Sequence, residues 1–249
     1  MSKIIKTSFF TKFKNIHSGK SSILFGGGPT FNLIDLEKIK DELILVGTNR
    51  HIFLKELNLD YYFCGDAHSV DDLFFKQIEK KKVKLNKFIG IRDSNKALCF
   101  LEKFGKIPQS ENLLAYEVNR SKRKHIKLSG YNSEHLHCDS IIKDIDVHKM
   151  TRRSSITFEA LQFILYSGVR KIYLVGHDCS YQKGSFHDKN FNISMHSHYK
   201  NKPLPKLLNC WQHSKSFIEK NYPKVEIFNI NPIGLKGLFE EKSIDVLYK

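Results

Sequence analysis

Cysteine is scarce in this chain and shows no pairing pattern. The five residues are Cys64, Cys99, Cys138, Cys179 and Cys210, an odd number with no CxxC spacing. This argues against a disulfide framework or a zinc knuckle and fits a reducing cytoplasm. No apolar run is long enough to cross a bilayer. The first residues, MSKIIKTSFFTKFKNIHSGK, lack an uninterrupted signal-peptide core and a small-residue cleavage site. There is no internal repeat, no low-complexity linker and no complete GxGxxG. Acidic residues are also in short supply: 26 Asp and Glu face 41 Lys and Arg, for a formal charge of +15. That excess favours an anionic partner, whether a nucleotide, an acidic glycan, nucleic acid or an anionic membrane surface, without choosing among them. Coding bias toward Lys and Asn would produce the same excess.

What is present is an alternation of short apolar runs with helical stretches over 249 residues, hydrophobic enough for one large core. This predicts an α/β fold: a single Rossmann-like domain with a mostly parallel sheet flanked by helices, spanning residues 21–249, and a lid at about 182–206. Residues 1–20 form a basic N-terminal extension in which Ile4, Ile5, Phe9, Phe10, Phe13 and Ile16 mix with Lys3, Lys6, Lys12 and Lys14. It reads as a frayed terminus, a helix packed on the domain, or an amphipathic helix in peripheral contact with an anionic membrane. Strands are expected at Ser22–Phe25, Leu43–Val46, Tyr61–Cys64, Lys87–Ile91, Lys171–Val175 and, last, Val225–Phe228. Helices are expected at Leu33–Lys40, Ile52–Leu57, Asp71–Lys82, Ala97–Phe104, Thr157–Ser167 and Leu207–Asn221. The stretch Ile107–Met150 is poorly periodic and holds loops and a strand or two. Gln182–Pro205 is too long and polar for a plain connection, as an active-site lid would be.

Several turns at strand ends carry candidate chemistry. Gly26, Gly27 and Gly28, then Pro29 and Thr30, follow the first strand, where bare backbone N–H groups and a helix N-terminus suit a phosphate. Asn49, Asp66 and Asp178 close three further strands. In an open parallel sheet the carboxyl ends share one crevice, so these residues can converge; each also suits simple turn geometry. Arg152, Arg153, Ser154, Ser155 and Thr157 precede a long helix, where the hydroxyls either cap it or meet a phosphate or ribose. Histidines cluster late, at His177, His187, His196, His198 and His213, and an imidazole can act as general base. His196 and His198 lack an acidic partner at a metal-ligand spacing.

The chain resembles the bacterial sialyltransferase family, glycosyltransferase family 42. It also resembles the related group of motility-accessory-factor glycosyltransferases and 6-hydroxymethylpterin diphosphokinase-like proteins. The likeness rests on ILFGGGPTFNLIDLEKI, LVGTNRHIF, DYYFCGDAHS, RRSSITFEALQFILYSGVRKIYLVGHDCSYQKGSFHD and KVEIFNINPIGLKGLF, taken in order. It implies a Rossmann-like fold with a lid, a CMP-sugar donor and no metal or other cofactor in catalysis. Gly26 to Thr30 and Asn49 would hold the nucleotide, with Arg153, Ser155 and Tyr181 beside it and His198 or His196 as base. Gly27 departs from the sialyltransferases, which usually carry Asn there, and the lid is longer between its histidines and the following helix; the Gly65-Asp66 turn and His187 after the GHDCSYQKG stretch lean toward the second branch. Within that branch a pterin-type enzyme would use magnesium on Asp66 and Asp178 to move diphosphate from ATP.

The leading expectation is therefore a transferase that moves sialic or another nonulosonic acid from a CMP-activated donor to a glycan or protein acceptor at the cell surface. The magnesium-dependent diphosphokinase is the alternative. A third reading is a non-catalytic module that binds polyanions through Arg120–Lys127, RSKRKHIK. No specific nucleic-acid partner is expected.

Overall fold

The computed structural model describes residues 5–65, 85–91, 113–118, 141–151, 155–179, 205–230 and 232–249. The near-continuous apolar runs act as strands covered on both faces. β1 (Ser21–Phe25), β2 (Ile44–Thr48), β3 (Tyr61–Cys64), β4 (Asn86–Ile91), β5 (Leu113–Glu117), β6 (Lys171–Val175), β7 (Glu226–Ile230) and β8 (Glu240–Lys242) form one eight-stranded sheet. Its order is β5-β4-β3-β2-β1-β6-β7-β8, and every pairing is parallel. The chain steps outward from β1 to β5, then returns to lay β6 on the other side of β1. The seam between β1 and β6 is thus the topological switch point, where open α/β sheets place their ligands.

Two apolar layers flank the sheet. One is built on Leu24, Phe63, Phe88 and Tyr116, packed against α1 (Thr157–Tyr166) and α2 (Pro205–Asn221). The other gathers Ile23, Phe25, Tyr62 and Ile89 with Ile39, Leu54, Leu57 and Leu247. Helix α1 is buried all round, and that explains its unbroken run of large apolar residues. Two of its buried polar side chains, Glu159 and Gln162, tie it to neighbouring segments. Glu159 accepts from the Tyr116 hydroxyl. Gln162 takes the amides of Ile142 (2.9 Å) and Thr151 (3.1 Å) and donates to the carbonyls of Thr151 (2.9 Å) and Phe158 (2.7 Å). Gln162 thereby fastens residues 141–151, which carry almost no periodic signal, against the core. Gly168, at φ +86°, ends the helix as expected.

The N-terminal segment packs on the domain. Residues Thr7–Phe13 form a 3-10 helix that buries Phe10 and Phe13 against Phe88 and Tyr116, and Ile5 bridges to Tyr116 beside β5. The aromatic face that would have lain on a membrane is thus spent on the core.

Other expectations need correction. The helix expected at Leu33–Lys40 is two short 3-10 turns, Pro29–Leu33 and Leu36–Lys38. So short a stretch gains little from α-helix propagation, and Ile39 is held flat by a bridge to Tyr248. At Ile52–Leu57 the 3-10 helix is Asn49–Phe53, and Leu54 and Leu57 enter the core from extended chain. β2 runs on through Gly47 and Thr48, where a side chain at 47 would collide with Leu59. Val225–Phe228 is not the last strand: β8 follows, an Glu-Glu-Lys edge whose charges hide it from an apolar search. The helices expected at 71–82 and 97–104, the lid and the basic run 120–127 lie outside the described residues. Among the described residues no helix is long and apolar enough to cross a membrane.

Candidate functional site

The glycine turn after β1 and the turn after β6 meet at the seam. The parallel ladder continues past the strand ends: Gly26 donates to the Val175 carbonyl and Gly28 to the Gly176 carbonyl, each at 2.7 Å. Thr30 then closes on Asp178, its amide 2.9 Å from Oδ2 and its hydroxyl 2.9 and 2.8 Å from Oδ1 and Oδ2. The Ile233 amide, from the chain beyond β7, reaches Asp178 Oδ1 at 3.2 Å. One buried carboxylate therefore clasps three loops. Burial pushes its pKa above the usual carboxylate range, against the pull of these donors.

The glycines make this contact possible. A methyl group at Gly28 would overlap Asp178 Oδ2, one at Gly26 would strike the Gly176 carbonyl and the His177 ring, and one at Gly234 would overlap the Asp178 carbonyl. Gly176 also sits at φ +72°, a conformation glycine adopts without strain. The expectation that the turn offers a row of free amides is thus corrected. Pro29 has none, those of Gly26, Gly28 and Thr30 are spent on the β6 side, and the half-buried Gly27 keeps its N–H. Asp178 likewise turns from a ligand-facing group into the clasp.

The first turn of α1 borders the same place. The Ser155 hydroxyl accepts from the Thr157 amide at 3.3 Å and donates to Thr157 Oγ1 at 3.1 Å, as the capping reading of these hydroxyls expects. The amides of Phe158 and Glu159 bond within the turn. What α1 offers a ligand is its dipole and the proton of the Thr157 hydroxyl.

A cleft of about 70 Å³ lies between these parts, lined by Gly26, Gly27, Gly28, Ser155, Thr157 and Asp178 from the sequence analysis, and by Gly176, His177, Cys179, Leu207 and Trp211. The sequence marks His177 only as one of the late histidines. It is buried, its Nε2 lies 3.0 Å from the Leu24 carbonyl, and its ring stands edge-on to Trp211. Burial pushes its pKa down to about 3, so it is no general base at neutral pH. Trp211, the single tryptophan, sits mid-helix in α2; helical periodicity marks it as core and gives no hint that it backs the cleft. Cys179 holds a left-handed φ of 49°, and burial pushes its thiol up to about 12, which keeps it unreactive.

Asn49 does not line this cleft. It stands at the end of β2 at φ 47°, where its Oδ1 accepts from the Gly65 amide at 3.2 Å and its carbonyl from the Tyr62 hydroxyl at 2.7 Å. Behind it His51, with Nδ1 2.6 Å from the Thr48 carbonyl, is buried between Phe25 and Phe31, and burial pushes its pKa down to about 4. Asp66, Arg153, Ser154, Tyr181, His187, His196 and His198 lie outside the described residues. A larger hollow of about 820 Å³ opens at the amino ends of the strands, around Ser21, Ile44, Tyr61 and Asn86; no loop of the switch point reaches it. Among the described residues no group of three or more His, Cys, Asp or Glu is placed to hold a metal ion.

No family model matches the chain, and no curated protein does. Among solved structures it is similar to the sialyltransferase CST-II in complex with trisaccharide acceptor and CMP, at 14% identity and a TM-score of 0.49 over 92% of this chain and 88% of that one. It is similar to CstII from Campylobacter jejuni in complex with the substrate analogue CMP-3FNeuAc, at 17% identity and a TM-score of 0.43 over 92% and 88% of the two chains. A third likeness is to the monofunctional alpha-2,3-sialyltransferase Cst-I from the same organism, at 15% identity and a TM-score of 0.43 over 85% and 75%. At such identities the likeness carries neither donor nor acceptor.

Proposed function

We propose that the chain is a glycosyltransferase that takes sialic acid, or another nonulosonic acid, from a CMP-activated donor and places it on a glycan or protein acceptor. The observation that supports it is the meeting of three separated motif segments in one cleft at the switch point: Gly26–Thr30, Ser155–Thr157 and Gly176–Cys179. The donor phosphate faces the Gly27 N–H, the Thr157 hydroxyl and the positive end of α1, groups that favour developing negative charge. His198, or His196, takes the proton of the acceptor hydroxyl. The acceptor oxygen bonds to the anomeric carbon, the bond from that carbon to the phosphate oxygen breaks, and its electron pair leaves on CMP. Arg153 neutralises that charge, and Ser154, Tyr181 and His187 stand beside the donor.

The magnesium-dependent alternative fits less well. Asp178 would have to supply metal-binding oxygens, yet both of its oxygens already accept from Thr30 and one also from Ile233. The proposed transfer takes no metal, and the working place proposed is the cytoplasm. Thermal stabilisation decides between the two, because a ligand that binds only the native chain raises its melting temperature. CMP and CMP-sialic acid should raise it without metal. Stabilisation by ATP with magnesium alone would overturn the proposal. Replacing the true base, His198→Ala or His196→Ala, should abolish turnover and leave CMP binding near the parent value.

A further inference from the structure

The cleft at the seam contains one side-chain acceptor with no donor among the described residues. His177 is 7% exposed. Its Nε2 faces the Leu24 carbonyl at 3.0 Å and must donate to it, so Nδ1 carries the lone pair. Among the described residues no group donates to that lone pair. Trp211 fixes the ring from one side, and Gly26 packs so closely that a methyl group there would touch Nδ1. Nδ1 is open to the cleft, where a donor from outside the chain can reach it.

The two sides of the cleft differ in character. The cleft's donors are the Thr157 hydroxyl of α1 and the Gly27 N–H of the turn after β1. On the β6 side it presents the acceptor at His177. A phosphate or carboxylate oxygen is itself an acceptor and finds nothing at Nδ1. Protonation of the ring would change that, but burial resists it. The space is small, about 70 Å³, which suits a part of a ligand rather than a whole nucleotide.

We infer that the cleft takes a hydroxyl group of its ligand at His177 Nδ1, with the ligand's phosphate turned toward α1, so that His177 reads a neutral hydrogen-bond donor and sets the orientation of the sugar nucleotide. The inference rests on the proposed function, which supplies the sugar nucleotide. The hydroxyl belongs either to the ribose or to the transferred sugar.

The test is calorimetric binding of CMP, its 2′-deoxy and 3′-deoxy forms, and CMP-sialic acid to the parent chain and to His177→Phe, which keeps a ring against Trp211 but no acceptor. If the ribose is read, one deoxy form binds the parent about five- to tenfold more weakly than CMP, and the variant no longer tells the two apart. If the transferred sugar is read, the deoxy forms match CMP, and the variant loses a similar factor for CMP-sialic acid alone. Uniform weakening of all four ligands in the variant would mean a purely structural ring and overturn the inference. Should the variant fail to fold, nitrogen NMR of the parent decides: the Nδ1 resonance must shift toward lower frequency on binding, as an accepted hydrogen bond requires, and an unmoved resonance overturns the inference. A parent chain that binds no cytidine ligand would remove the proposed function and this reading together; one that binds them with Nδ1 silent removes this reading alone.

Discussion

Two buried histidines should make this protein sensitive to acid. His51 and His177 are both buried at the switch point, and burial pushes their pKa values down to about 4 and about 3. In the unfolded chain each returns to about 6.5. The unfolded state therefore binds protons that the folded state refuses, and this contribution to stability is present above the unfolded value and lost as the pH falls below it. Between pH 7 and pH 5 the loss is about 2 kcal/mol for each ring, or about 4 kcal/mol together. That is a large part of the roughly 5–15 kcal/mol that holds a domain folded. Urea unfolding at pH 7, 6 and 5 measures it, on the parent, on His51→Gln, on His177→Gln and on the double variant. Each single variant should remove about 2 kcal/mol of the parent's loss between pH 7 and pH 5 and the double variant about 4 kcal/mol, whatever its stability at pH 7. Asp178, with its raised pKa, acts with the opposite sign: its contribution is present below the unfolded carboxylate range and lost as the pH rises. It is common to all four chains and cancels in the differences. A double variant as acid-sensitive as the parent would refute the reasoning.

Three further outcomes follow from the clasp and the surface. Asp178→Asn sets an amide N–H₂ against donors from Thr30 and Ile233 and should cost about 2–3 kcal/mol in urea unfolding; a loss under about 0.5 kcal/mol would show that the loops hold without it. Gly28→Ala drives a methyl group into Asp178 Oδ2, so it should destabilise by about 1–3 kcal/mol and weaken nucleotide binding, as read by melting temperature with and without CMP. Leu33 is 62% exposed, and Leu33→Lys should leave both readouts within about 0.5 kcal/mol of the parent.

The sheet was legible where both faces are covered, because a buried strand needs an unbroken apolar run. Tyr61–Cys64 and Lys171–Val175 stand where the sequence puts them. β8 was not legible, since an edge strand of Glu, Glu and Lys gives no apolar signal. The 3-10 turns after β1 and β2 look like helices in the sequence because Ile34, Leu36 and Ile39, or Ile52 and Leu57, imitate a helical stripe while each packs separately. In the site, convergence of the turns was legible from topology alone, because parallel strands end on one side. The roles within it were not. Nothing in the string GHD says that the aspartate faces inward to bind Thr30, or that the histidine, which resembled a base, is kept neutral by burial. Those facts come from contacts across 148 and 153 positions of sequence, where spacing carries no information.

That separation also governs when the site can exist. The ribosome delivers β1 and its glycines long before β6, and before the Ile233 amide that completes the grip on Asp178. Until the second half of the chain has docked, the first turn has no opposite wall and a nucleotide has no cavity to enter. Ligand binding should therefore arrive late and abruptly in folding, as a mark of completed assembly, and a fragment ending before β6 should bind no nucleotide.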